Sequence, residues 1–129
     1  MSDKKFIDLS GEYEVQGVDV HDGPFSARLI LTLNEKCSDF SRGYITYQSK
    51  AFNAEGIETY QGSIIANGNN FAMSFINILP EQKSDHGVIF GTVTHDYDAA
   101  GHRQTILHNI YYQPDYQGGG YGSAVSIKQ

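Results

Sequence analysis

The chain has 129 residues, 40% apolar and 19% charged, with a net charge of −6 and one cysteine. That length suits one domain of roughly 100–150 residues, so residues 1–129 are expected to form a single unit with an irregular segment over residues 1–9. Few basic residues and no basic run argue against nucleic-acid binding, which needs phosphate contacts. No apolar stretch nears the ~18 residues of a membrane span, and the N-terminal lysines are followed by no apolar core, so no secretory signal is read there. Cys37 has no partner for an internal disulfide, which fits a reducing, cytoplasmic setting.

Turn chemistry divides the chain at nearly even intervals. It occurs at His21–Pro24, Glu35–Asp39, Asn53–Gly56, Asn67–Asn70, Glu81–Asp85, Asp98–Gly101 and Pro114–Gly120. Glycine supplies positive φ there, Asn and Asp tolerate it, and proline fixes φ.

The segments between these turns read as strands, taken in order. Gly11 to Val20 sets Tyr13 and Val15 on one parity and Val18 and Val20 on the other, which predicts a β-bulge at Gly17. Pro24 to Asn34 alternates with a period of two, with Phe25, Ala27, Leu29, Leu31 and Leu33 on one face. Glu35 to Phe40 holds at most one helical turn. Arg42 to Phe52 carries the strand formers Tyr44, Ile45, Thr46 and Tyr47. Ile57 to Ala66 and Phe71 to Leu79 follow, the latter setting Phe71, Met73 and Phe75 against Ala72, Ile76 and Ile78. Val88 to Tyr97 and Arg103 to Gln113 are rich in β-branched and aromatic residues. The turn between them, Asp98–His102, reads as a type I turn with a glycine bulge, which pairs Asp96 with Gln104, Thr92 with His108 and Phe90 with Ile110. Tyr121 to Ile127 completes the set.

Eight antiparallel segments with short turns make a meander. An open sheet would leave two long edges exposed; an even strand count lets the first and last strands pair. The predicted fold is therefore all-β, an eight-stranded antiparallel up-and-down meander barrel, with a two-sheet sandwich as the alternative. The meander, with Gly11-Glu12-Tyr13 heading its first strand, resembles the lipocalin and calycin barrels, which open with Gly-x-Trp. Here Tyr13 stands in the tryptophan's place. The resemblance implies a small apolar ligand held inside the barrel.

By parity, the expected inner, ligand-binding residues are Tyr13, Leu29, Leu31, Tyr44, Phe71, Met73, Phe75, His108 and Tyr112. Of the five histidines, His95 and His108 lie mid-strand and are the candidate general acids or bases. His95 differs in parity from His102 and His108, and those two are roughly 20 Å apart along a strand at ~3.3 Å per residue. No metal site is therefore expected, and no cofactor is implied. The run Gln117–Gly122 lacks the lysine and the following helix of a phosphate loop. Cys37 has no base placed beside it, and Glu12/Glu14 and Asp96/Asp98 read as solvated charge. The apolar residues Ile64, Ile65, Ile76 and Ile78 put hydrophobic surface on both faces of their strands, which predicts a homo-oligomer, such as a homodimer, through the outer face.

Three functions follow as expectations. The leading one is a non-enzymatic protein that binds a small apolar molecule in a barrel cavity, which needs roughly 300 Å³ or more. The second is an enzyme of lyase, isomerase or cyclase type in the barrel mouth, using a His/Tyr acid–base pair. The third is a protein–protein interaction or inhibitor module with an acidic rim.

Overall fold

The structure, a computed structural model, describes residues 6–82 and 85–129. Eight strands run in chain order: β1 (Gly11–Asp19), β2 (Gly23–Leu33), β3 (Ile45–Phe52), β4 (Glu58–Asn67), β5 (Asn70–Asn77), β6 (His86–Tyr97), β7 (Arg103–Gln113) and β8 (Gly120–Lys128). Each pairs antiparallel with the next, and β8 returns to β1, closing an up-and-down barrel. Two single-turn 3₁₀ helices, Glu35–Cys37 and Pro80–Gln82, sit in connections. The described residues contain no helix long and apolar enough to cross a membrane. Residues 1–5 of the expected irregular segment, and 83 and 84 of the expected fifth turn, lie outside the described residues.

The hairpin joining β6 to β7 has the expected register: Asp96 faces Gln104, Thr92 faces His108 and Phe90 faces Ile110. The Asp98 amide donates to the His102 carbonyl at 2.9 Å, and Gly101 adopts a φ of 83° that an L side chain would strain against.

Gly17 departs from expectation. It stays in register, facing Phe25 on β2 and Ala124 on β8, and no bulge forms there. Val18 and Val20 instead point outward and are exposed. Gly17 lies under the Phe25 ring, as Gly91 lies under Phe71, Gly87 under Phe75 and Gly122 under Tyr111. A Cβ on Gly91 would come within 2.6 Å of Phe71 Cζ. Wide rings thus fit inside the barrel because the facing strand offers bare backbone. The one slip in the β3–β4 ladder falls between Ala51 and Phe52.

The meander sorts the connections to two ends. The β1–β2, β3–β4, β5–β6 and β7–β8 connections share one end, the mouth. The other three, with residues 6–10 and the C-terminus, share the base. Leu9, Tyr13, Leu31, Ile45, Tyr47, Ile64, Phe71, Val93 and Leu107 form a buried cluster toward the base. The segment before β1 crosses under it. The Tyr13 hydroxyl donates to the Leu9 carbonyl at 2.7 Å, and the Leu9 amide donates to the Tyr47 hydroxyl at 2.9 Å. A non-strand segment can be buried there because its backbone groups find partners. Burial holds the Tyr13 hydroxyl protonated far above the usual range and pushes Tyr47 up to about 12.

Candidate functional site: the barrel mouth

The mouth half of the barrel is hollow. A cavity of about 490 Å³ opens there, above the ~300 Å³ a small-molecule pocket requires. Its walls carry two edge-to-face aromatic pairs, Phe25–Tyr111 with centroids 6.2 Å apart and Tyr60–Phe75 at 5.2 Å. Val15, Ala27, Leu29, Met73 and Ile89 line its inner end.

One ladder of the closed barrel stops short of the mouth. β2 pairs with β1 from Gly23 onward but with β3 only from Arg28 to Leu33. Residues 23–27 therefore lie beyond the end of the β2–β3 ladder, and the cavity reaches this seam at Ser26 and Arg28.

Two buried carboxylates define the polar chemistry. Asp19, 6% exposed at the end of β1, accepts the His21 and Asp22 amides on Oδ1, at 2.8 and 3.1 Å. Its Oδ2 accepts the Tyr111 hydroxyl at 2.5 Å. Burial works against its charge, but the Tyr111 bond and the two amides outweigh that and hold the carboxyl below the usual range. Burial, together with the same carboxylate, keeps Tyr111 protonated. On the rim, the Tyr116 hydroxyl donates to Asp22, which pushes Tyr116 up to about 12.

Asp85, 5% exposed just before β6, is the second. Its Oδ2 accepts the Tyr60 hydroxyl at 2.6 Å and the Asn77 amide at 3.1 Å, and its Oδ1 accepts the Gln113 amide at 2.9 Å. Tyr60 is also raised by burial and by Asp85. The Asn77 backbone amide donates to the Asp85 carbonyl at 2.8 Å, so the network ties the end of β5 to the start of β6 as well as to β4 and β7.

Of the sequence-chosen residues, Leu29, Met73 and Phe75 line the cavity. Tyr13, Leu31 and Phe71 face inward but belong to the packed base cluster. Three parity assignments are corrected. His108 and Tyr112 point outward, because β7 puts Leu107, Asn109, Tyr111 and Gln113 on its inner face. Tyr44 lies outside the strands in an isolated bridge with Asp39 and is exposed, because β3 begins only at Ile45. Ile64 is likewise corrected: it is buried inside, while Ile65, Ile76 and Ile78 are exposed.

The expected His/Tyr pair does not form in the mouth. His95 is half-buried at the base end of β6, its Nδ1 3.3 Å from Thr105 Oγ1. Burial, then Arg103 and Lys128, lowers its pKa. His108 contacts Thr94 on the outer face. Among the described residues no histidine lines the cavity, and no group of His, Cys, Asp and Glu is placed to hold a metal ion.

Residue parity missed Asp19, Tyr60, Asn77, Asp85, Tyr111 and Gln113. A signal for half of them was present. Once the inner rows are known, Asp19, Asn77 and Gln113 all fall at strand ends that share the mouth. No protein family matches the chain, and no curated protein matches it in sequence.

Proposed function

We propose that the protein is a lipocalin-like carrier that binds a small, largely apolar molecule in the mouth half of its barrel. The observation behind this reading is the aromatic-walled cavity of about 490 Å³ above a packed base. Its buried carboxylates are already hydrogen-bonded to neighbouring groups, an arrangement that suits orienting a ligand better than exchanging protons with one. The test is binding of a neutral apolar dye, Nile red, to the wild-type chain and to Ala27→Trp. Ala27 lines the cavity, so an indole there fills the space. Dye fluorescence rises with the wild type and is lost in the variant. Fluorescence that never rises, or that survives the substitution, refutes the reading.

A second reading, self-association, has its own observation. Ile65, Ala72, Phe90 and Ile110 face one another in a single outer row across β4 to β7. Phe90 is 57% and Ile110 63% exposed, and Val88, Tyr112 and Tyr121 form an exposed neighbouring row. A contiguous apolar face of this kind commonly marks an interface. Phe90→Asp converts a dimer into a monomer in sedimentation if the face joins two copies; a wild-type chain that sediments as a monomer rules it out.

A further inference from the structure

The charges facing the cavity bear on which ligand it prefers. Those on its wall are the carboxylates Asp19 and Asp22, with Asp85 hydrogen-bonded to the wall residues Tyr60, Asn77 and Gln113. The basic residue at the seam is Arg28. Its guanidinium is engaged on the outer surface by Glu12 at 3.1 Å and by the Phe52 ring at 5.3 Å. Among the described residues no lysine lines the cavity. The nearest imidazole to Asp19, His21, sits exposed on the rim with its Nε2 2.9 Å from the Gly119 carbonyl oxygen.

Asp19 also has acceptor capacity left. A carboxylate offers about four acceptor sites, and the His21 amide, the Asp22 amide and the Tyr111 hydroxyl occupy three. Its charge is held chiefly by the Tyr111 hydroxyl and the two amides, with a smaller attraction from the His21 imidazole; among the described residues no cation bridges it within salt-bridge distance. In a partly buried, aromatic-walled space the field of such a charge is weakly screened, and aromatic faces also attract cations.

We propose that the cavity takes an apolar molecule bearing a protonated amine, with the ammonium donating to Asp19 and the apolar body against Phe25, Phe75 and Met73, and that it discriminates against carboxylates such as fatty acids. This rests on the reading of the mouth as a ligand cavity. The test is calorimetric titration at neutral pH with decylamine, decanol and decanoic acid. Their apolar parts are alike and their head groups differ in charge.

A hydrogen bond to a charged group supports a preference of about 10- to 100-fold. Decylamine is expected to bind tighter than decanoic acid by that factor, with decanol between them. Asp19→Asn then reduces the amine-to-alcohol affinity ratio toward one. Because Asp19 also holds the β1–β2 turn, Asp22→Asn on the exposed rim provides a second variant, expected to lower the same ratio by less. Equal affinity for all three ligands, or ratios unmoved in both variants, overturns the amine proposal and leaves the ligand cavity standing. No binding of any of them, with no Nile red signal, overturns both.

Discussion

The base and the mouth of this barrel are built from the same strands and differ in what those strands turn inward. Toward the base the inner rows present Tyr13, Leu31, Ile45, Tyr47, Ile64 and Leu107, which pack together as one buried apolar cluster. Toward the mouth the same rows present Asp19, Ser49, Asn77 and Gln113, buried and polar, around open space. Asp19, Asn77 and Gln113 are tolerable there because each is hydrogen-bonded, and Ser49 borders the cavity; among the described residues no fully buried side-chain nitrogen or oxygen lacks a partner. The difference shows how a small barrel reconciles stability with a hollow. Apolar burial at one end, worth ~1.5–3 kcal/mol for each large side chain, holds the strands in register while the other end stays unfilled.

Truncation gives the sharpest test of that contrast. Leu31→Ala in the base is expected to cost about 2–5 kcal/mol, since the surrounding side chains cannot collapse into the gap. Phe75→Ala in the mouth removes a larger ring and is expected to cost less, because the ring already borders open space. Urea unfolding of both variants decides it, and equal losses would break the distinction between the two ends.

Next in size is Gly91→Ala. The new Cβ meets both the Phe71 ring and the β7 backbone, and overpacking of this kind costs about 1–3 kcal/mol. Unchanged stability would mean that the ring does not need bare backbone beneath it. Tyr13→Phe should cost about 1 kcal/mol through the lost bond to Leu9. It should also raise hydrogen exchange at the start of β1 while leaving the mouth strands protected.

The smallest effects separate the two ends by pH. His95, at the base, has a lowered pKa, so the unfolded chain takes that proton first. Its effect on stability is absent well above pH ~6.5 and grows as a loss when pH falls through that value. Asp19, at the mouth, also has a lowered pKa, but as an acid it adds stability that is complete above pH ~4 and disappears as pH falls toward its folded value. Thermal melts should therefore show a first decline near neutrality that His95→Gln removes, and a later acid decline that Asp19→Asn diminishes. A single transition unaffected by either variant would contradict both assignments.

Much of the architecture was legible from local chemistry. Alternation in β2 and the turn residues at Asp98–His102 specify strand faces and one hairpin register without reference to the rest of the chain, because a period of two and a positive-φ glycine are short-range constraints. Parity failed where the anchoring cue was ambiguous. Gly17 looks like a bulge until Phe25 is seen lying across it, and β7 is apolar on both faces, so Tyr112 and His108 competed with Tyr111 and Leu107 for the interior.

Sequence alone therefore determined an all-β meander of eight strands, since turn propensity and alternation act between near neighbours. The tertiary structure decided which end packs and which stays hollow. It also brought Asp19 to Tyr111 and Asp85 to Tyr60, Asn77 and Gln113. Most of those contacts join residues far apart in the chain, and only barrel closure, which selects one inner face for every strand at once, brings them together.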